Sequence, residues 1–147
     1  MSVRDDRSCS TDLWGSSLAA ATEKGAVMNV LIVEDEAIIA LMLQEILLSV
    51  GHQVIGIAAN AERAKVIATE ELPDVALLDI RLGKGGSGVE VARWLKQQGV
   101  PSLFITGSPQ DAEANRDAVL GYVPKPFGDY EVIAALRMVQ DVINQTP

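Results

Sequence analysis

Cysteine is nearly missing from this chain. Cys9 is the only one, which excludes an internal disulfide and a cysteine-built zinc site and makes a reducing, cytoplasmic compartment the natural expectation. Aromatic residues are scarce, at 4% against 48% apolar residues in all, so the core has to be assembled mainly from Ala, Val, Ile and Leu. That composition suits buried strands and packed helices. Long apolar runs are absent: the longest, Ala37 to Leu43, falls far short of the roughly 20 residues of a membrane span. Positive charge is in deficit, with 12 Lys and Arg against 20 Asp and Glu and a net charge of −8. The basic residues do not cluster, which argues against direct contact with nucleic acid. A length of 147 residues suits one domain with a real core.

Residues 1–27 are rich in Ser, Ala and mixed charge without sustained periodicity, and read as a flexible tail. The competing reading is a short capping helix around Leu13 to Ala21. Strong patterning begins at Met28, where Val30 to Val33 form an apolar run that ends in Glu34-Asp35-Glu36. From there strands and helices alternate. A helix from about Ala37 to Val50 places Ile38, Leu41, Met42 and Ile46 at helical spacing, as a core-facing stripe would be, and Gly51 stops it. Val54, Ile55 and Ile57 make a second strand. Asn60 caps a helix that turns Ala64, Ile67 and Ala68 inward, and Pro73 closes it before the strand Val75 to Leu78. Beyond the glycines at 83, 85, 86 and 88, which read as a mobile loop, Val91, Ala92, Trp94 and Leu95 continue as a helix that Gly99 stops. Leu103 to Ile105 form strand four, a short polar segment spans Gln110 to Val119, Tyr122 and Val123 form strand five, and a last helix runs from about Tyr130 to Ile143.

Such alternation predicts an α/β fold with a parallel sheet buried on both faces and right-handed crossovers. Ligands of these sheets bind beyond the carboxyl ends of the strands. At those ends stand Glu34 and Asp35, then Asp79, then Thr106, then Lys125. Three carboxylates converging on one crevice repel one another unless a cation joins them. Mg²⁺ suits the place, because it takes oxygen ligands and is commonly held by one or two carboxylates plus a phosphate. Asp79 is then the candidate nucleophile toward phosphorus, Lys125 the fixed cation that draws charge off the transferring oxygens, and Thr106 a hydroxyl able to donate to a phosphoryl oxygen. Taken singly each residue has an ordinary explanation: acids favour helix N-termini, aspartates favour turns, and lysines favour solvent. Their joint placement on four strand ends is what points to chemistry.

These residues lie in motifs that resemble the receiver domains of two-component response regulators: Leu31-Ile32-Val33-Glu34-Asp35-Glu36, Leu77-Leu78-Asp79-Ile80, Phe104-Ile105-Thr106-Gly107 and Lys125-Pro126-Phe127. The resemblance covers Met28 to about Ile143. It implies a three-layer flavodoxin-like (βα)5 fold with a parallel five-stranded sheet in order 2-1-3-4-5. It further implies phosphorylation of Asp79 by a histidine kinase or histidine phosphotransfer protein. By the same carry-over Asp35 and Asp79 bind Mg²⁺ directly, Glu34 acts mainly through water, and the backbone carbonyl of Arg81 completes the protein ligands. Thr106 and Tyr122 match the family's coupled switch pair, and the Lys125–Pro126 peptide is expected to be cis.

The departures are few. Glu34 stands where aspartate is more common. The segment from Thr106 to Lys125 is shorter than usual, similar in this to a subfamily of receivers, known chiefly from alphaproteobacteria, with a reduced fourth helix; Ser108 replaces the aromatic residue expected there. The glycines form no P-loop, since no Gly-Lys-Ser/Thr follows them. The resulting expectation is a phosphoacceptor switch rather than an enzyme with separate turnover, with residues 28–147 as the receiver and output through a downstream protein target. A homodimer stays open. The competing class is a flavodoxin-like binding module or an unphosphorylated adaptor, against which the complete site argues. The Gln110 to Val119 segment, with few apolar anchors, is expected to be loosely held.

Overall fold

The computed structural model describes residues 27–145; Cys9 and the tail assigned to residues 1–27 lie, apart from Val27, outside them. The elements alternate as β1 (Asn29–Val33), α1 (Ala37–Ser49), β2 (Gln53–Ala58), α2 (Ala61–Glu70), β3 (Val75–Leu78), α3 (Gly88–Gln97), β4 (Ser102–Thr106), α4 (Pro109–Ala114), β5 (Gly121–Pro124) and α5 (Asp129–Gln145). Single 3₁₀ turns stand at Gly83–Gly85 and Arg116–Ala118. All strand pairs are parallel and the order is β2-β1-β3-β4-β5, the flavodoxin-like arrangement.

The sheet separates two cores, and alternation along each strand decides which side chain joins which. Leu31, Val33, Ala76, Leu78 and Phe104 face α2, α3 and α4. Val30, Ile32, Val75, Leu77, Leu103 and Ile105 face α1 and α5. Asn60 caps α2 by accepting the Arg63 N–H at 2.8 Å, and Ala64, Ile67 and Ala68 are buried as expected. Ser87 caps α3 by accepting from Val89, which turns Val91, Ala92 and Leu95 inward.

Helix α1 departs from the sequence reading. Its buried residues are Ala40, Leu43, Ile46 and Leu47, while Ile38, Leu41 and Met42 are exposed, Ile38 to 75%. The segment is apolar nearly all round, so periodicity alone does not choose a face. The sheet selects the face that carries a small residue, Ala40, and lets the helix approach closely.

The glycine-rich loop after β3 is the segment expected to be mobile. It takes a defined course, with Gly83 and Gly86 at φ of 60° and 97°, a bridge between Arg81 and Ser87, and the Gly88 N–H donating to the Ile80 carbonyl at 2.8 Å. Gly88 is there for space: a Cβ on it would stand 2.0 Å from the carbonyl oxygen of Asp79. The nearest atoms are all backbone of Asp79 and Ile80, so no flexible side chain is there to yield. Gly88→Ala should therefore cost about 3 kcal/mol or more, read as a lowered urea midpoint; stability within about 1 kcal/mol of the parent would show that the loop gives way freely.

Candidate functional site

The hydrogen-bond ladder runs one residue past β1, β3 and β5, and this brings the chemistry together. Val33 pairs with Leu78 in the sheet, and the Asp79 N–H then donates to the Val33 carbonyl at 2.9 Å. Glu34 donates to Ala58, and Lys125 to the Thr106 carbonyl at 2.8 Å. Each side chain at a strand end is thus held by a backbone whose neighbours are buried. The Lys125–Pro126 peptide is cis.

Glu34, Asp35 and Asp79 each offer a carboxylate oxygen, and the three atoms lie within 4.8 Å of one another. Glu34 is 2% exposed, Asp79 nearly buried and Asp35 open to solvent. Lys125 Nζ donates to Glu34 Oε1 at 2.9 Å and to Asp79 Oδ2 at 3.2 Å. The Glu36 N–H donates to Glu34 Oε2, and the Arg81 N–H reaches Asp79 Oδ1 at 3.4 Å. Thr106 is buried at the end of β4, and its Oγ accepts the Ser108 N–H at 2.9 Å. Its own proton stays available to a further acceptor. Three hard oxygen donors converging on one solvent-open corner form a donor set that suits a divalent cation.

Burial pushes the Glu34 carboxyl up to about 7. The Asp79 charge adds to this, while the Lys125 and Glu36 hydrogen bonds oppose it without prevailing. For Lys125 the balance is reversed: burial would lower the ammonium, but the hydrogen bond to Glu34 and the charges of Asp79 and Glu34 outweigh it and hold the group above its ordinary value.

The structure brings Glu34, Asp35, Asp79 and Lys125 into one cluster. Thr106 is joined to it through the backbone of Lys125. Tyr122 lies apart, packed half-buried over the α4 core, with its hydroxyl donating to Glu113 Oε2 at 3.0 Å. Sequence reasoning missed two features. Gly88 was seen as one glycine among several, and the side-chain network of Arg81, Ser108 and Asp111 has no local signal, since its members are 30 residues apart at the extremes.

A parallel sheet in this order, with acids after its central strands and a lysine after its edge strand, is the architecture of a response-regulator receiver, and the chain belongs to the response regulator receiver domain family, whose profile matches residues 30–137. Among its relatives is the phyllosphere-induced regulator PhyR of Methylorubrum extorquens, 38% identical over 132 residues, which cover 85% of this chain and 46% of that protein. The transcriptional regulatory protein PdtaR of Mycobacterium tuberculosis is 30% identical over 114 residues, covering 75% and 55%. The solution structure of the Erythrobacter litoralis PhyR receiver domain superposes with a TM-score of 0.75 at 31% identity, covering 83% of this chain and 95% of that one. The chain spans about half the length of the curated relatives it matches.

The raised Glu34 carboxyl has a consequence for stability. Between its ordinary value and about 7 the folded state keeps a proton that the unfolded chain has released, so stability falls as pH rises through that window. The Lys125 contribution is fully present below the ordinary lysine value and adds no slope there. In chelator, the parent should lose on the order of 2 kcal/mol from this group between about pH 5 and pH 8, and Glu34→Gln should flatten the profile. Urea denaturation across that range measures both; parallel profiles would refute the assignment.

Proposed function

We propose that this receiver accepts a phosphoryl group on Asp79 from the phosphohistidine of a histidine kinase or histidine phosphotransfer protein, and passes the signal on by protein contact. The observation that supports it best is the Lys125 ammonium bridging Glu34 and Asp79. A carboxylate oxygen of Asp79 forms the new O–P bond as the P–N bond of the donor breaks and the imidazole leaves. Lys125 offsets the charge that gathers on the transferring oxygens, and the Thr106 hydroxyl donates to one of them. Asp35 and Asp79, with Glu34 through water and the Arg81 carbonyl, are the residues that would hold Mg²⁺. When bound, the ion supplies charge neutralisation between the carboxylates and the incoming phosphoryl oxygens.

In this reading residues 28–147 make up the receiver and residues 1–27 a tail outside it. No helix among the described residues is long and apolar enough to cross a membrane, and a cytoplasmic location fits the chemistry of the donor. Thr106 drawn toward the phosphoryl group, with Tyr122 following, would report occupancy on the α4–β5 surface to a downstream target. The donor docks beside the site on α1, whose Ile38, Leu41 and Met42 are exposed next to a groove of ≈ 290 Å³ lined by Met42, Glu45, Ile46, Ser49, Phe127 and Asp129. An amphipathic helix of the donor protein would cover those side chains.

Incubation with acetyl phosphate and Mg²⁺, followed by intact mass, should show the gain of one phosphoryl group by the parent and none by Asp79→Asn, since the amide lacks the anionic oxygen needed for attack. A stably phosphorylated Asp79→Asn protein would exclude Asp79 as the acceptor. Ile38→Asp with Leu41→Asp should slow transfer from a phosphorylated histidine protein at least about tenfold, the loss expected for two interface side chains, and leave uptake from acetyl phosphate unchanged. Equal slowing with both donors would place the defect in the site rather than on the docking face.

A further inference from the structure

We propose that Arg81 is a cation shared between two anions: it holds Asp111 while Asp79 is unmodified, and turns to the phosphoryl group once Asp79 carries one, releasing the first turn of α4. This rests on Asp79 being the acceptor. Arg81 sits two residues beyond Asp79, with its N–H near Asp79 Oδ1, while its side chain leaves the site. Nε at 3.1 Å and Nη2 at 2.8 Å both donate to Asp111 Oδ2. The Ser108 hydroxyl donates to the same oxygen at 2.8 Å, and the Ser108 N–H donates to Thr106 Oγ. One carboxylate oxygen therefore ties the acceptor loop to the start of α4, and Ser108 ties that start to Thr106.

The helix depends on these ties. It has only six residues, begins with Pro109, and has no side-chain cap; the Ser108 hydroxyl turns to Asp111 instead of accepting from the first turn. Its far end is held by different partners: Arg93 on Asp117 and Asn115, and Tyr122 on Glu113. Release at Asp111 would therefore loosen the first turn and leave the rest in place. This network also accounts for a segment that few apolar residues anchor.

Exchange of the Arg81 partner is favoured by charge. A phosphoryl group carries close to two negative charges. With Glu34 and Asp35 beside it, a divalent cation and Lys125 leave about one negative charge uncompensated, which a guanidinium meets with a fork that fits phosphoryl oxygens. The competing pair is open to solvent, with side chains 74% and 39% exposed, and such pairs are worth a factor of about five or less in equilibrium.

The test is titration of the full chain with beryllofluoride and Mg²⁺, with amide hydrogen exchange over residues 108–115. Asp111→Asn frees Arg81, so it should bind the mimic about two- to fivefold more tightly and exchange faster at those amides before any mimic is added. Arg81→Gln should exchange equally fast yet bind the mimic more weakly. The opposed affinities are the signature, since a merely structural ion pair would move both variants the same way. If the parent binds the mimic and the two variants shift together or not at all, the exchange of partners is refuted alone. If the parent does not bind it, the acceptor role of Asp79 fails and the exchange falls with it.

Discussion

The interaction on which the rim of the sheet depends is the Lys125 ammonium set between two buried carboxylates. The parallel sheet delivers Glu34 and Asp79 to adjacent strand ends with little water around either, an arrangement that electrostatics opposes. The ammonium, brought from an edge strand and placed within 2.9 and 3.2 Å of the two carboxylates, is what makes the juxtaposition tolerable. Much of the fold serves that placement: the backbone bond from Lys125 to Thr106 sets the depth of the lysine, and the buried strands beneath keep the carboxylates from splaying apart. The same arrangement leaves the corner at Asp35 open, where an additional cation would relieve what one lysine leaves uncompensated.

The two sides of the sheet divide the work. On one side α1 leaves Ile38, Leu41 and Met42 uncovered beside the site, the surface proposed above for docking of the phosphodonor. On the other, the connection between β4 and β5 is shortened to one helical turn and a half, followed by a 3₁₀ turn, and is held by hydrogen bonds and ion pairs more than by apolar packing. Polar ties of this kind are individually weak and respond to a local change of charge, whereas a buried apolar helix would not. Under the proposed exchange at Arg81, a connection built this way would respond to what happens at Asp79.

Legibility in the sequence followed the range of the interactions. The strands and the caps at Asn60 and Gly51 are set by neighbours within a few residues, and they stand where periodicity puts them. Glu34, Asp35, Asp79, Thr106 and Lys125 were also visible, because a parallel α/β sheet sends every strand end to one rim and the pattern of strand ends is local information. The orientation of α1 was not, since a helix apolar on most sides has no face that its own sequence prefers. Gly88 was hidden for a similar reason: what forbids a side chain there is the Asp79 carbonyl, nine residues back but in contact only after the loop has folded.

By itself, then, the sequence determined the alternation of elements, the identity of the rim residues and, through its motifs, the family. Those follow from side-chain chemistry at short separations, where hydrophobic period and capping act without reference to the rest of the chain. The tertiary structure alone decided which ammonium faces which carboxylate, which side of α1 meets solvent, and that Arg81 closes on Asp111 rather than on the acid two residues before it. These are choices among partners of similar chemistry, and only distance, burial and the packing of distant segments discriminate between them.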